Sequence, residues 1–125
     1  MIKVLCVEDN DDTMFVLHRR LGRAGFDVKV ATNGQDGVDW ATTMKPQVIV
    51  MDLNLPKLDG TEATRRLKGQ EATKHIPIIV MTSHCDDKHR TDALAAGCDA
   101  YEIKPFDFEK LVAMIKAFAE RAAQP

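Results

Sequence analysis

A chain of 125 residues with a formal net charge of −2 has the length of one domain and can bury roughly two-thirds of its unfolded surface without disulfide or metal staples. That charge balance gives no basic footprint for nucleic acid or an anionic membrane, and no apolar run approaches the roughly 18 residues of a membrane span. The opening MIKVLCVED is broken by Lys3 and ended by acid, unlike a signal peptide, and Cys6, Cys85 and Cys98 match no metal or redox spacing, so a reducing, cytoplasmic setting is expected.

Ile2 to Val7 (IKVLCV) is an apolar run of strand length that ends on Glu8-Asp9-Asn10-Asp11-Asp12. Met14, Leu17 and Leu21 then recur at helical spacing up to Gly22 and Gly25. Carboxylates at a helix N-terminus cap free amides and favour the macrodipole, so Asn10, Asp11 and Asp12 read as capping and solubility residues. Glu8 and Asp9 precede the cap and are left for a ligand. A calcium loop does not fit, because Thr13 and Met14 stand where an EF-hand needs Asp or Asn and then Gly.

Asp27 to Thr32 alternates and reads as an edge strand, with Asn33-Gly34 as a turn. Gln35 to Met44 is helical by the spacing of Val38, Ala41 and Met44, and Pro46 closes it. Gly37 inside that helix costs up to about 1 kcal/mol relative to Ala, which predicts close packing of helix on sheet. Val48 to Met51 (VIVM) has the β-branched, non-alternating character of a strand buried on both faces. Such a strand holds no charge in its interior, so Asp52 marks its carboxyl end and Leu55 to Gly60 the turn beyond.

Thr61 to Lys68 is a short helix with Ala63 and Leu67 inward, and Arg65, Arg66 and Lys68 read as a solvated face. Ile76 to Thr82 is a fourth strand ending on Thr82-Ser83. Asp86 to Ala96 makes a helix whose inward residues, Ala93, Leu94 and Ala96, are small, so it buries little area and should shift easily. Gly97 stops it. Ala100 to Ile103 is a fifth strand ending on Lys104-Pro105. Phe106 and Leu111 fit a hydrophobic staple around Asp107 as N-cap, and Leu111, Met114, Ile115, Phe118 and Ala122 continue the stripe of a final helix. Strand and helix alternate five times without repeat or linker, which predicts a single three-layer, doubly wound α/β domain over residues 1–125.

Four of the five strands end on polar residues of distinct chemistry: Glu8 and Asp9, Asp52, Thr82 and Ser83, and Lys104. In a parallel sheet all carboxyl ends share one edge, where α/β proteins bind ligands. Crowded carboxylates raise at least one pKa unless a cation shares them. A hard divalent ion answers this: magnesium prefers oxygen ligands and commonly pairs carboxylates with a phosphate. Asp52 can then attack phosphorus to give an aspartyl phosphate, with Lys104 and the Thr82 hydroxyl on the phosphoryl oxygens. A zinc site from His84, Cys85 and His89 would lack an evident fourth ligand.

The stretches VLCVEDN, VIVMDLNLPKLDG, IIVMTS and YEIKPF together resemble the receiver domain of two-component response regulators, along the whole chain. The resemblance implies a flavodoxin-like, CheY-like (βα)5 fold whose parallel sheet runs 2-1-3-4-5. It implies Asp52 as phosphoacceptor, and Glu8 and Asp9 as the acidic pair, Asp9 binding magnesium (or manganese) directly. The Asn54 backbone carbonyl would be a further metal ligand, Thr82 the switch hydroxyl, Lys104 the phosphoryl contact and Tyr101 the switch aromatic. Lys104-Pro105 would be a cis peptide, permissible because Pro follows. Ser83 stands where the family most often has Ala, and is small enough to admit a phosphoryl group. Asn54 and His84 would flank the path of an attacking water and tune dephosphorylation.

The function implied is a phosphorylation switch rather than an enzyme. Asp52 would take phosphate from a phosphohistidine on a sensor histidine kinase or histidine phosphotransfer protein, drawing Thr82 inward and letting Tyr101 follow. The face made by the fourth helix, fifth strand and last helix would then change affinity for a downstream protein, the domain being a monomer or a phosphorylation-dependent dimer. Because the chain ends at Pro125, no output domain is expected here; it would be a stand-alone regulator or the excised receiver of a longer protein. Two readings compete. A haloacid-dehalogenase-type phosphohydrolase needs a second Asp two residues after the nucleophile, where this chain has Asn54. A receiver-like scaffold would bind partners without phosphorylation.

Overall fold

The computed structural model describes residues 1–123, with side chains described through residue 121, so the place of Ala122 on the last stripe lies outside them. The elements are β1 (Lys3–Val7), α1 (Asp11–Arg23), β2 (Asp27–Ala31), α2 (Gly34–Met44), β3 (Val48–Asp52), α3 (Gly60–Gly69), β4 (Ile78–Thr82), α4 (Asp87–Ala96), β5 (Ala100–Ile103) and α5 (Phe108–Ala123). The strands form one parallel sheet in the order β2-β1-β3-β4-β5, as the resemblance implies. β4 starts at Ile78 rather than Ile76, because Pro77 has no N–H for a ladder; its carbonyl still accepts from the Ile49 N–H. Asn33 is the N-cap of α2, its side chain accepting from the Asp36 N–H at 2.8 Å, and so does more than form a turn.

Alternation along the strands divides the core. Leu5, Val7, Ile49, Met51, Ile78 and Val80 face one side, covered by Val38 and Ala41 of α2, Ala63 and Leu67 of α3 and Ala93 of α4. Val4, Cys6, Val48, Val50, Ile79 and Met81 face the other, covered by Leu17 and Leu21 of α1 and Leu111, Ile115 and Ala119 of α5. Each such Leu or Ile contributes about 1.5–3 kcal/mol on burial. At Gly37 a Cβ would meet a Val7 methyl at 2.9 Å, so α2 sits on β1 as closely as the glycine predicts. Asp107 caps α5 by accepting from the Glu109 N–H at 2.9 Å, with Phe106 packed on the same side as Leu111. Lys104–Pro105 is cis. Cys6 is fully buried, which pushes its thiol up to about 12; burial also raises the Cys98 thiol; Cys85 is exposed.

Two expectations are corrected. Leu94 is 47% exposed, so α4 covers the sheet with Ala93 and Ala96 only and is more lightly packed than its sequence indicates. Lys68 is not part of a solvated face. Its ammonium donates to the Ile76 carbonyl and the Asp99 carboxylate, both at 2.8 Å, and its stem lies under Gly97, whose φ of +105° turns the chain over it. Asp99 also accepts from the Ile78 N–H at 2.8 Å, so one ion pair joins α3, the start of β4 and the turn before β5. Arg65 and Arg66 are exposed, as expected, and pair with Glu62.

Candidate functional site

β1 is hydrogen-bonded to β2 on one side and β3 on the other, so the chain's crossovers part above the carboxyl end of β1 and leave a crevice there. Glu8 and Asp9 leave β1 at that point, and the Glu8 N–H donates to the Ala31 carbonyl, holding the exit in line with the sheet. Asp52 is the last residue of β3 and Thr82 the last of β4. Lys104 follows β5, its N–H donating to the Thr82 carbonyl at 2.8 Å. Residues 96 positions apart thus meet: the Lys104 ammonium lies 2.6 Å from Glu8 Oε1 and 3.6 Å from Asp52 Oδ1. One carboxylate oxygen each from Glu8, Asp9 and Asp52 falls within 4.8 Å of the others.

Burial sets the electrostatics. Glu8 is 3% exposed and Asp52 8%, whereas Asp9 is open to solvent. Loss of hydration, followed by the charge of Glu8, raises the Asp52 carboxyl to about 6 against the opposing pull of Lys104. A single ammonium therefore does not neutralise the cluster. An all-oxygen set of three carboxylates, one of them solvent-facing, fits a hard divalent cation that keeps several waters. Glu8 is less free than its position implied, because Oε1 is held by Lys104 and Oε2 accepts from the Asn10 N–H at 3.3 Å.

Thr82 is fully buried and its hydroxyl oxygen accepts from the His84 N–H at 3.1 Å. The His84 carbonyl accepts from the Tyr101 hydroxyl at 2.9 Å, and His84 Nε2 lies 3.0 Å from Asn54 Oδ1. Thr82, His84, Tyr101 and Asn54 are thus one linked set. Tyr101 is half-buried against the core. Ser83 is exposed at the strand end.

Glycines that support the site have no mark in the sequence beyond a turn. A Cβ on Gly60 would lie 2.0 Å from the Asp52 carbonyl oxygen, and one on Gly34 would lie 1.7 Å from the Leu58 carbonyl oxygen. Both let helix N-termini close directly onto the end of β3 and the loop that follows it. The need arises from backbone carbonyls of other segments. A second group of ligating atoms, within 4.8 Å of one another, comes from His84, Asp86 and His89. Cys85, weighed with these histidines from the sequence as a zinc set lacking a fourth ligand, is outside the group, which holds Asp86 instead.

The doubly wound α/β domain thus gathers an acidic triad, a lysine and a buried hydroxyl at one sheet edge, the edge where such folds bind ligands. The sequence matches the response regulator receiver domain over residues 4–116, and the chain belongs to that family. It is 36% identical over 124 residues to the response regulator ArlR of Staphylococcus aureus, covering 99% of this chain and 55% of that protein. The chain therefore spans about half the length of the curated relatives it matches. Among solved structures, the receiver domain of a sensor histidine kinase from Pseudomonas aeruginosa, described with a magnesium ion coordinated in its active site cleft, superposes with a TM-score of 0.89 at 32% identity, over 95% of this chain and 98% of that one. The signal receiver domain of a histidine kinase from Syntrophus aciditrophicus gives 0.93 at 26% identity, over 100% and 95%. The chain is a receiver domain of the two-component response regulator type. No helix among the described residues is long and apolar enough to cross a membrane.

Proposed function

We propose that this receiver domain accepts a phosphoryl group on Asp52 from a phosphohistidine of a sensor histidine kinase or histidine phosphotransfer protein. The observation that carries the reading is the gathering of Glu8, Asp9 and Asp52 beside the Lys104 ammonium. An Asp52 carboxylate oxygen attacks phosphorus, the P–N bond breaks, and its electron pair returns to the donor imidazole. Lys104 turns from Glu8 toward the phosphoryl oxygens, and the Thr82 hydroxyl donates to one of them. Asp9, Asp52 and the Asn54 carbonyl, with Glu8 behind them, would hold Mg2+ or Mn2+, which when bound supplies positive charge against the phosphoryl oxygens.

Drawing Thr82 toward the phosphoryl group alters its bond to the His84 N–H and, through the His84 carbonyl, the hold on Tyr101. The face of α4, β5 and α5 then changes affinity for a downstream protein, and the modified domain acts as a monomer or as a dimer. A coupling of about 1–3 kcal/mol suffices. The domain promotes only its own phosphorylation and dephosphorylation. Asn54 in place of a second Asp argues against steady phosphohydrolase turnover. Incubation with acetyl phosphate and Mg2+ followed by intact mass tests the reading: one added phosphoryl group, absent in Asp52→Asn, supports it, and none in the native chain sinks it in favour of a phosphorylation-independent scaffold. His84→Ala, which removes the ring beside Asn54, should change the phosphoryl half-life measured by the decay of that mass.

A further inference from the structure

The carboxyl edge of the sheet carries two neighbouring groups of potential ligand atoms, and their chemistry differs. Glu8, Asp9 and Asp52 offer oxygen alone, whereas His84, Asp86 and His89 offer two imidazole nitrogens and one carboxylate. Imidazole suits zinc, copper and nickel, while carboxylate and water suit magnesium and manganese, so the two groups select different ions. We propose that His84, Asp86 and His89 form a second metal site, for a borderline divalent transition ion such as Zn2+, with water completing the coordination.

The residues are brought together by the loop between β4 and α4. Asp86 is the N-cap of α4, accepting from the His89 N–H at 3.1 Å, which sets its carboxylate against the His89 ring; Nδ1 lies 2.8 and 2.7 Å from its two oxygens. The His84 ring lies parallel to that of His89, with centroids 3.8 Å apart and planes 1° from each other. All three side chains are exposed or half-buried, so solvent and ion can reach them. Zinc bonds of about 2.0–2.2 Å require tetrahedral ligand atoms about 3.3 Å apart. Reaching that from within 4.8 Å takes rotations of surface side chains, with the parallel rings tilting toward a shared ion, and no movement of the strand. Occupancy would draw the His84 ring from Asn54 and fasten the loop that bridges Thr82 and Tyr101. A transition ion is thereby a local input to the same loop that the proposed phosphorylation moves.

The test is Zn2+ titration of the full chain in excess Mg2+, read by calorimetry and by the ring signals of its four histidines. One equivalent should bind, shifting His84 and His89 while His18 and His75 stay in place. His84→Ala and His89→Ala should each weaken binding more than ten-fold, and Cys85→Ser should leave it unchanged. All three positions are on the surface, and circular dichroism verifies that the variants fold. Absence of binding up to millimolar Zn2+ overturns the proposal, as does binding that survives both histidine variants, binding lost in Cys85→Ser, or binding lost in Asp9→Asn with the histidines intact.

Discussion

In β3 and β4 every residue is buried, while in β5 none of the four is, and the helices above them differ in the same sense. α5 buries Leu111, Ile115 and Ala119 with Phe108 and Phe118 alongside; α4 buries two alanines and turns Leu94 to solvent. The site is divided along this line. Asp52 and Thr82 end the tightly packed strands, whereas His84, Tyr101 and Lys104 belong to the loops and the strand at the thinly covered edge. Under the proposed function, the groups that hold the reacting atom sit on the stiff part, and the groups that report the change sit where little apolar area resists movement.

The sharpest way to break that contrast is to remove packing from the stiff side. Ile79→Ala, on the fully buried β4, should cost about 3 kcal/mol in urea unfolding; a loss no larger than that of an α4 surface variant would erase the distinction. Asp52→Asn should move the other way. Because Asp52 is raised from 3.8 to about 6 in the fold, the folded state holds its proton more tightly than the unfolded chain, and stability falls as pH rises from 4 to 6. Without a divalent ion, Asp52→Asn should therefore be more stable by about 3 kcal/mol at pH 7, with the difference vanishing below pH 4 when unfolding is measured across that range.

Lys68→Ala tests what ties the two regions together. It leaves the Asp99 carboxylate and the Ile76 carbonyl without their ammonium, and should cost about 1–3 kcal/mol by denaturant midpoint. Leu94→Ala should cost under about 0.5 kcal/mol in the same assay, as surface substitutions do; a larger loss would mean that α4 is anchored more firmly than its burial implies.

Strand ends were legible in the sequence because an apolar run cannot absorb a charge, so Glu8, Asp52, Thr82 and Lys104 each announce where a strand emerges. Their convergence follows from the parallel sheet alone. What stayed hidden depends on partners far along the chain. Lys68 looks like any helix-surface lysine until Asp99, 31 residues on, is seen beside it. Leu94 reads as inward because ten residues of α4 carry too few apolar side chains to define a face. Gly60 and Gly34 read as turn residues, since the carbonyls they admit belong to other segments. Likewise Asp86 reads as the first residue of a helix, and only the folded loop sets its carboxylate against the His89 ring.

The unequal burial of the three thiols has a practical consequence. A maleimide reacts with thiolate, so at neutral pH Cys6 and Cys98 are shielded twice, by enclosure and by their elevated acidity constants, and Cys85 alone is available. A fluorophore or spin label can thus be attached to the native chain one residue beyond His84, where it would report directly on any movement of the loop that joins Thr82 to α4.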